Sequence, residues 1–278
     1  MNAIMEQEGT FTYLGERSFE EMNLPPILYK YRDWNDPYHK RVITKRELYF
    51  SPPNTFEDEF DCKIPVRYDL LTPDDIFEKY LKESKELHPN YNRQQHRKFA
   101  HDWQRKGLLT NKKRIEKLEE EFFKNFTNKF GILCLTPYPD NEEMWRKYSV
   151  EHTGFCVGFH TIPLLSLKEY SGGGSEVNYV DELPILRPFD DLDKNHFLQI
   201  YSKLRKWEFE KEYRITKINI QDRGAIIPEN IFAEVILGAR MTNTSKEELI
   251  ICVTESFSSL PIKQAIEREG RLIIEPLL

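Results

Sequence analysis

The four cysteines, Cys62, Cys134, Cys156 and Cys252, nowhere form a CxxC pair or a close cluster. That spacing excludes a zinc knuckle and a dense disulfide framework, and it leaves buried thiols as the expectation. No stretch approaches the roughly 18 consecutive apolar residues of a membrane span, so no membrane partner is expected. The opening residues, MNAIMEQEGTFTYLGERSFE, lack the basic and then apolar order of a secretory leader, which makes the cytoplasm the expected compartment. Glycine is sparse, and the triplet Gly172, Gly173, Gly174 follows neither the GxGxxG nor the GxxxxGK[ST] order of a phosphate-binding loop. The chain also has no HExxH, no GxSxG and no cysteine with a motif-defined histidine partner, which argues against a zincin, an α/β-hydrolase and the familiar cysteine proteases. Nor is there an excess of positive charge: 46 acidic residues stand against 40 basic ones, for a formal charge of -6. Such a balance offers no global attraction to nucleic acid, although a local basic groove is compatible with it.

What is present is a globular composition, 39% hydrophobic and 31% charged, in a chain of 278 residues. That length suits one compact unit, and the order of elements predicts an α+β fold: a mixed, mostly antiparallel sheet with flanking helices and a helical insertion. Short strands are expected at Ile27 to Tyr31 after two prolines, and at Leu48 to Phe50 before Pro52 and Pro53. The acidic turn TFEDEFDCKIPVRY leads toward another strand. From about 72 to 129 the pattern becomes helical, with Thr72 as N-cap, Pro73 at the first helical position and Asp75 at the third. Ile115, Leu118, Phe122 and Phe126 follow at helical spacing, and the surrounding charges read as a solvated face. Beyond the insertion, strands are expected at Gly131 to Thr136 and Gly154 to Phe159, around a short helix at Asn141 to Val150. SGGGSEVNYV reads as a flexible turn and a short strand, and a helix is expected from about Asp193 to Lys206. FAEVILGA reads as a buried strand and a helix follows NTSKEE. The pair IKQAI and RLIIEPL predicts a closing hairpin with Gly270 in its turn, against a competing short helix at Ile262 to Arg268.

Three clusters carry candidate chemistry. Trp145, Tyr148 and His152 fall at three- and four-residue intervals, so a helix continued to its last turn places them along one side. Such a row stacks a ring and offers a group that titrates near neutrality; the structural alternative is a pair of core aromatics with a helix-terminating histidine. The acidic turn holds Glu57, Asp58, Glu59 and Asp61, a set able to ligate magnesium or supply a general base, and equally an ordinary acidic loop. The third is KWEFEKEYRI, Lys206 to Ile215. Read as a strand, it places Trp207, Phe209, Tyr213 and Ile215 on one face and Glu208, Glu210, Glu212 and Arg214 on the other. Carboxylates about 7 Å apart repel where water is excluded, and Arg214 is a candidate clamp for one of them.

These segments together resemble the bacterial domain of unknown function 2971 family. The resemblance is carried by LYKYR, by LYFSPPNTFEDEF, by CLTPYPDNEEMWRKYSVEHTGFCVGF and by the WxxExExR order of WEFEKEYRI. It spans roughly Leu28 to Ala239 and singles out Tyr31, Asp58, Phe60, Trp145, Tyr148, His152, Gly154, Trp207, Glu210, Glu212 and Arg214, with Glu208 left facing solvent. Glu57 and Glu59 stand where the family usually has Asn and Pro, and Lys147 where a histidine often precedes the tyrosine. The resemblance implies an association with bacterial defence genes, and the layout of acids and aromatics is similar to that of ADP-ribosyltransferases acting on nucleic acid. It then implies Glu210 or Glu212 at a ribose hydroxyl of NAD, Tyr148 on nicotinamide, and Arg32 or Arg214 at phosphate, with Trp145, His152 and Asp58 completing the site. The alternatives are a magnesium-dependent nuclease using Asp58 with Asp61 and Glu210 with Glu212, and a noncatalytic nucleotide-sensing or partner-binding module with a protein partner encoded nearby.

Overall fold

The computed structural model describes residues 2–7, 10–16, 24–167 and 173–277. The chain opens with an antiparallel hairpin, β1 (Asn2–Gln7) and β2 (Thr10–Glu16). Five strands then build the largest sheet: β3 (Ile27–Arg32), β6 (Phe155–His160), β12 (Phe232–Leu237), β13 (Ile262–Arg268) and β14 (Arg271–Pro276). Their spatial order is β14-β13-β12-β6-β3, antiparallel at every pairing except β12 with β13. The nearly continuous apolar text of β6 and β12 follows from burial on both faces. Leu28, Phe155, Val157, Val235 and Leu237 join Leu249 and Val253 of helix α8 (Asn243–Ser256) in the main core. The closing hairpin is present, with positive φ at Glu269 (52°) and Gly270 (73°), the mirror-image turn that matches strand twist.

A second antiparallel sheet has the order β5-β10-β7, from β5 (Phe130–Leu135), β10 (Tyr213–Ile218) and β7 (Gly174–Glu176). The two sheets meet where the Tyr29 amide donates to the Thr136 carbonyl at 2.7 Å and the Thr136 amide returns the bond at 3.0 Å. Two short pairs complete the strands, β4 (Glu47–Tyr49) with β11 (Gly224–Ile226), and β8 (Asn178–Val180) in parallel with β9 (Ser202–Leu204).

The helical insertion consists of α2 (Pro73–Leu87), α3 (Arg93–Arg105) and α4 (Lys112–Lys129). Thr72 and Asp75 form the reciprocal capping box that their spacing implies, and Asn92 with Gln95 forms another. Shorter helices are α1 (Arg41–Thr44), α5 (Glu142–Tyr148), α6 (Thr161–Leu165) and α7 (Leu192–Tyr201). Among the described residues no helix is long and apolar enough to cross a membrane.

Several local expectations are corrected. The acidic turn leads to a single bridge, Val66 with Leu186, and not to a strand. The helix expected to reach Lys206 stops at Tyr201, where residues 202–204 extend to pair with β8. Of the expected glycine turn, Ser171 and Gly172 lie outside the described residues, while Gly174 already belongs to β7.

Candidate functional site

Arg205–Glu210 wind as a 3₁₀ helix, Lys211 takes a left-handed conformation (φ 44°, ψ 51°), and β10 begins only at Tyr213. The expectation of one continuous strand over Lys206 to Ile215 is thereby corrected. In a three-residue repeat, side chains at i and i+3 eclipse. Trp207 and Glu210 therefore share one side, while Arg205, Glu208 and Lys211 form an outer row in which Glu208 accepts from Arg205 at 3.0 Å and from Lys211 at 2.8 Å. The left-handed residue then redirects the chain so that Glu212 and Arg214 enter the same interior as Glu210.

That interior holds five charges. Arg214 is fully buried and grips Asp61 with two parallel bonds of 2.8 Å, Nη1 to Oδ1 and Nη2 to Oδ2. It also donates from Nη2 to Glu212 Oε2 at 2.7 Å and from Nη1 to the Ile200 carbonyl at 2.6 Å. Lys203, at the middle of β9, places its ammonium 3.1 Å from Asp61 and 3.3 Å from Glu212, and in direct contact with Glu210. Three carboxylates thus share two buried cations, and the more exposed Lys147 adds a third, 3.8 Å from Glu210. Burial and then the charge of Glu212 push the Glu210 carboxyl above the usual range, against the pull of Lys203. For Glu212 burial acts in the same upward direction, but Arg214 and Lys203 outweigh it and hold the carboxyl down at about 2. Burial disfavours charge on Lys203 as well, and Glu212 and Asp61 overcome it to keep the ammonium protonated.

A cavity of about 210 Å³ opens over this cluster. Its lining includes Glu210, Glu212, Asp58 and Tyr148, together with Arg32 and Trp207. Tyr148, the last residue of α5, donates its hydroxyl to Glu210 Oε1 at 2.6 Å, and burial followed by the Glu210 charge holds that phenol strongly protonated. Asp58 accepts from Trp207 Nε1 at 3.0 Å and Lys206 at 3.3 Å, which fixes the indole at the cleft wall. Lys147 lies 3.8 Å from the Trp207 ring centroid, 3.8 Å from Glu210 and 3.5 Å from Glu57. β3 also lines the cavity, through Tyr29, Lys30, Tyr31 and Arg32. Lys30 donates to the Cys134 carbonyl at 2.7 Å, and desolvation with the adjacent Arg32 lowers its pKa to about 8. Arg32, lowered to about 10 by desolvation, has no hydrogen-bonded or ion-paired side-chain partner among the described residues. The cleft therefore has a compensated acidic floor and a cationic wall on β3.

Three of the expected site residues lie elsewhere. Arg214 sits behind the floor, saturated by Asp61 and Glu212, and cannot reach a phosphate in the cleft. Trp145 is completely buried, edge-on to Tyr31 at 5.1 Å, with Nε1 donating to the Pro139 carbonyl at 2.8 Å. His152 does not continue the helix, because Val150, Glu151 and His152 all have positive φ (50°, 51° and 68°). This left-handed turn folds the ring back to stack on Trp145 at 6.0 Å, with Nε2 3.0 Å from Glu142 and the whole side chain out of solvent. Gly154 is required just beyond: a Cβ there would lie 2.1 Å from the Arg32 carbonyl oxygen. The turn thus supports the end of β3 and does not supply a titrating group to the cavity.

Lys203, Lys30 and Cys134 are lining residues that sequence reasoning missed. Lys203 carries no motif; its meeting with Asp61 depends on the parallel pairing of β8 and β9 and on a loop more than a hundred residues earlier. The Asp61 and Glu210/Glu212 segments do meet, as a two-carboxylate-pair nuclease requires. The Lys203 ammonium, however, occupies the centre that a magnesium ion needs, and Arg214 saturates the rear, so these residues do not fit the ion. Among the described residues no group of three or more His, Cys, Asp or Glu side chains is arranged to hold a metal.

No curated protein and no solved structure matches the chain. A family model does match, over the segment that supplies Lys147, Tyr148, Lys203, Trp207, Glu210, Glu212 and Arg214 and that leaves β3 and the Asp58–Asp61 turn outside. Residues 144–215 match the family described as Protein of unknown function (DUF2971), and through this segment, which carries Glu210 and Glu212 of the acidic floor, the chain is similar to that family.

Proposed function

We propose that the cleft binds a phosphate-bearing nucleoside and that its substrate is an NAD-type dinucleotide whose ADP-ribosyl group is transferred to an acceptor. The observation that carries this reading is that one cavity is lined both by Glu210, whose carboxyl burial and Glu212 push up, and by Arg32, whose guanidinium has no hydrogen-bonded or ion-paired partner among the described residues. Arg32 and Lys30 suit a pyrophosphate, Trp207 and Tyr148 offer aromatic faces to a ring, and Glu210 suits the centre where charge changes. The cavity is smaller than the usual 300–1,000 Å³ ligand pocket. It accepts the reacting end of a dinucleotide while the remainder lies across the mouth.

In the reaction so drawn, the bond between ribose C1′ and the nicotinamide nitrogen breaks, and its electron pair neutralises the pyridinium. The positive charge that develops on the ribose is stabilised by Glu210. The acceptor hydroxyl or amine bonds to C1′, and its proton passes to the Glu210 carboxylate, whose raised pKa suits that role. Tyr148 holds the carboxylate in place, and Asp58, through Trp207, positions the ring wall. A setting in the bacterial cytoplasm beside defence genes belongs to the same reading.

Incubation with NAD and with protein and nucleic acid acceptors, followed by chromatographic measurement of nicotinamide, tests it. Release that falls at least 100-fold in Glu210→Gln is expected. Saturable binding of NAD without release would transfer the cleft to a noncatalytic nucleotide-sensing role, and the absence of both would sink the proposal.

A further inference from the structure

The charge of the chain is not evenly distributed. Between residues 88 and 117 there are nine Lys and Arg against two Asp and Glu, in a chain whose overall formal charge is -6. All nine cations are exposed. They occupy α3, the turn after it and the first turns of α4. Only Arg105 and Lys117, among the described residues of this group, have an ion-pair partner: Asp102 at 3.9 Å and Glu121 at 3.8 Å, each on its own helix.

Arg93, Arg97, His101 and Arg105 follow one another at four-residue intervals, so they form one ridge along α3 about 18 Å long, with Lys98 beside it. Like charges at this spacing weaken a helix. At the start of α4, Lys112, Lys113 and Arg114 fill the first turn, where the helix dipole favours acids. Among the described residues, no carboxylate of the neighbouring α2 forms an ion pair with either group. The ridge is instead held in position from below: the Arg97 guanidinium lies 5.2 Å from the Phe77 ring centroid and His101 packs on the same ring at 4.6 Å. Lys106 sits 3.3 Å from the ring centroid of Trp103. Internal packing thus orders cations that internal charges leave uncompensated.

We propose that this ridge binds the phosphate backbone of a duplex nucleic acid. Three arginines with His101 among them, each step rising about 6 Å along an inclined ridge of the helix, suit the winding line of phosphates of a duplex. Phe99 and Trp103 are turned inward, against each other and Tyr80, and so are not displayed for stacking on unpaired bases. The same inward packing leaves this ridge without the apolar face that would enter a lipid surface. The acidic balance of the rest of the chain repels a polyanion and would orient it onto the ridge. This surface is separate from the cleft, and the inference stands whether or not NAD is turned over.

Fluorescence anisotropy of the full chain with labelled 30-base-pair DNA and RNA duplexes, between about 50 and 250 mM salt, tests it. Binding is expected whose log–log salt slope is about -4, for four or five phosphate contacts at roughly -0.9 each. R93E/R97E/R105E should weaken binding at least tenfold, and the milder R93Q/R97Q/R105Q should reduce the slope by about 3. K45E/K246E/R271E, with the same change in net charge, should bind as the unaltered chain does. The proposal is overturned if neither duplex binds at 50 mM salt, if both triple reversals weaken binding equally, or if polyglutamate or phosphatidylserine vesicles bind as tightly as the duplexes. A preference for RNA over DNA, or the reverse, identifies which duplex the ridge takes.

Discussion

The floor of the cleft and the ridge of α3 are both densely charged, and they solve opposite problems. In the floor, Asp61, Glu210 and Glu212 are removed from water and can stay folded in only because Lys203 and Arg214 sit among them. On α3, Arg93, Arg97 and Lys98 face water, which screens them with no ion-pair partner among the described residues. Burial makes each internal charge depend on its neighbours, whereas exposure lets like charges accumulate at small cost. Stability should therefore be concentrated in the first region and readiness to bind anions in the second.

The largest effect is expected from Arg214→Met. It leaves Asp61 and Glu212 buried without their main cation and should cost about 3–5 kcal/mol in urea unfolding. A loss below about 1 kcal/mol would mean that the clamp is not what holds the floor.

A finer contrast lies between the two glutamates. The Glu212 carboxyl is held at about 2 against an ordinary 4.5, so its contribution is complete above pH 4.5 and is lost as pH falls toward 2. Glu212→Gln should cost about 3 kcal/mol at pH 7 and flatten the acid limb of the stability curve. For Glu210 the sign is reversed: its pKa is raised in the fold, so its titration favours folding at low pH, and that contribution disappears as pH rises through the raised value. Glu210→Gln should consequently stay within about 1 kcal/mol of the unaltered chain at pH 7 while its nicotinamide release falls. Equal losses from the two substitutions would refute the division of labour between them.

The smallest effect is expected on the insertion. Lys113→Glu places an acid in the first turn of α4 and should stabilise the protein by about 0.3–1 kcal/mol, read as a higher urea midpoint. A destabilisation there would show that Lys113 has an internal partner and would blunt the contrast between the regions.

Much of this was legible in the sequence. The capping box at Thr72 and Asp75, the helices of the insertion, the strands around α5 and the closing hairpin all follow from local patterns, because caps, turns and side-chain periodicity act over a few residues. The importance of Glu210, Glu212 and Tyr148 was legible from motif and spacing. Their geometry was not, because residues 205–210 wind as a 3₁₀ helix where the alternating reading has them extended, and Lys211, a non-glycine residue with φ of 44°, then redirects the chain. Likewise His152 continued a helical row on paper, yet three left-handed residues turn it into the core beside Trp145.

By itself, then, the sequence determined the α+β class, the helical insertion and the presence of three acids near an arginine, since each is written in neighbouring residues. Only the tertiary structure decided which acids are neutralised, by whom and where the remaining charge lies. Lys203 comes from β9, Asp61 from a loop before the insertion, and Arg32 from β3, and no local pattern connects them. Burial couples charges through space, with no regard for their distance along the chain.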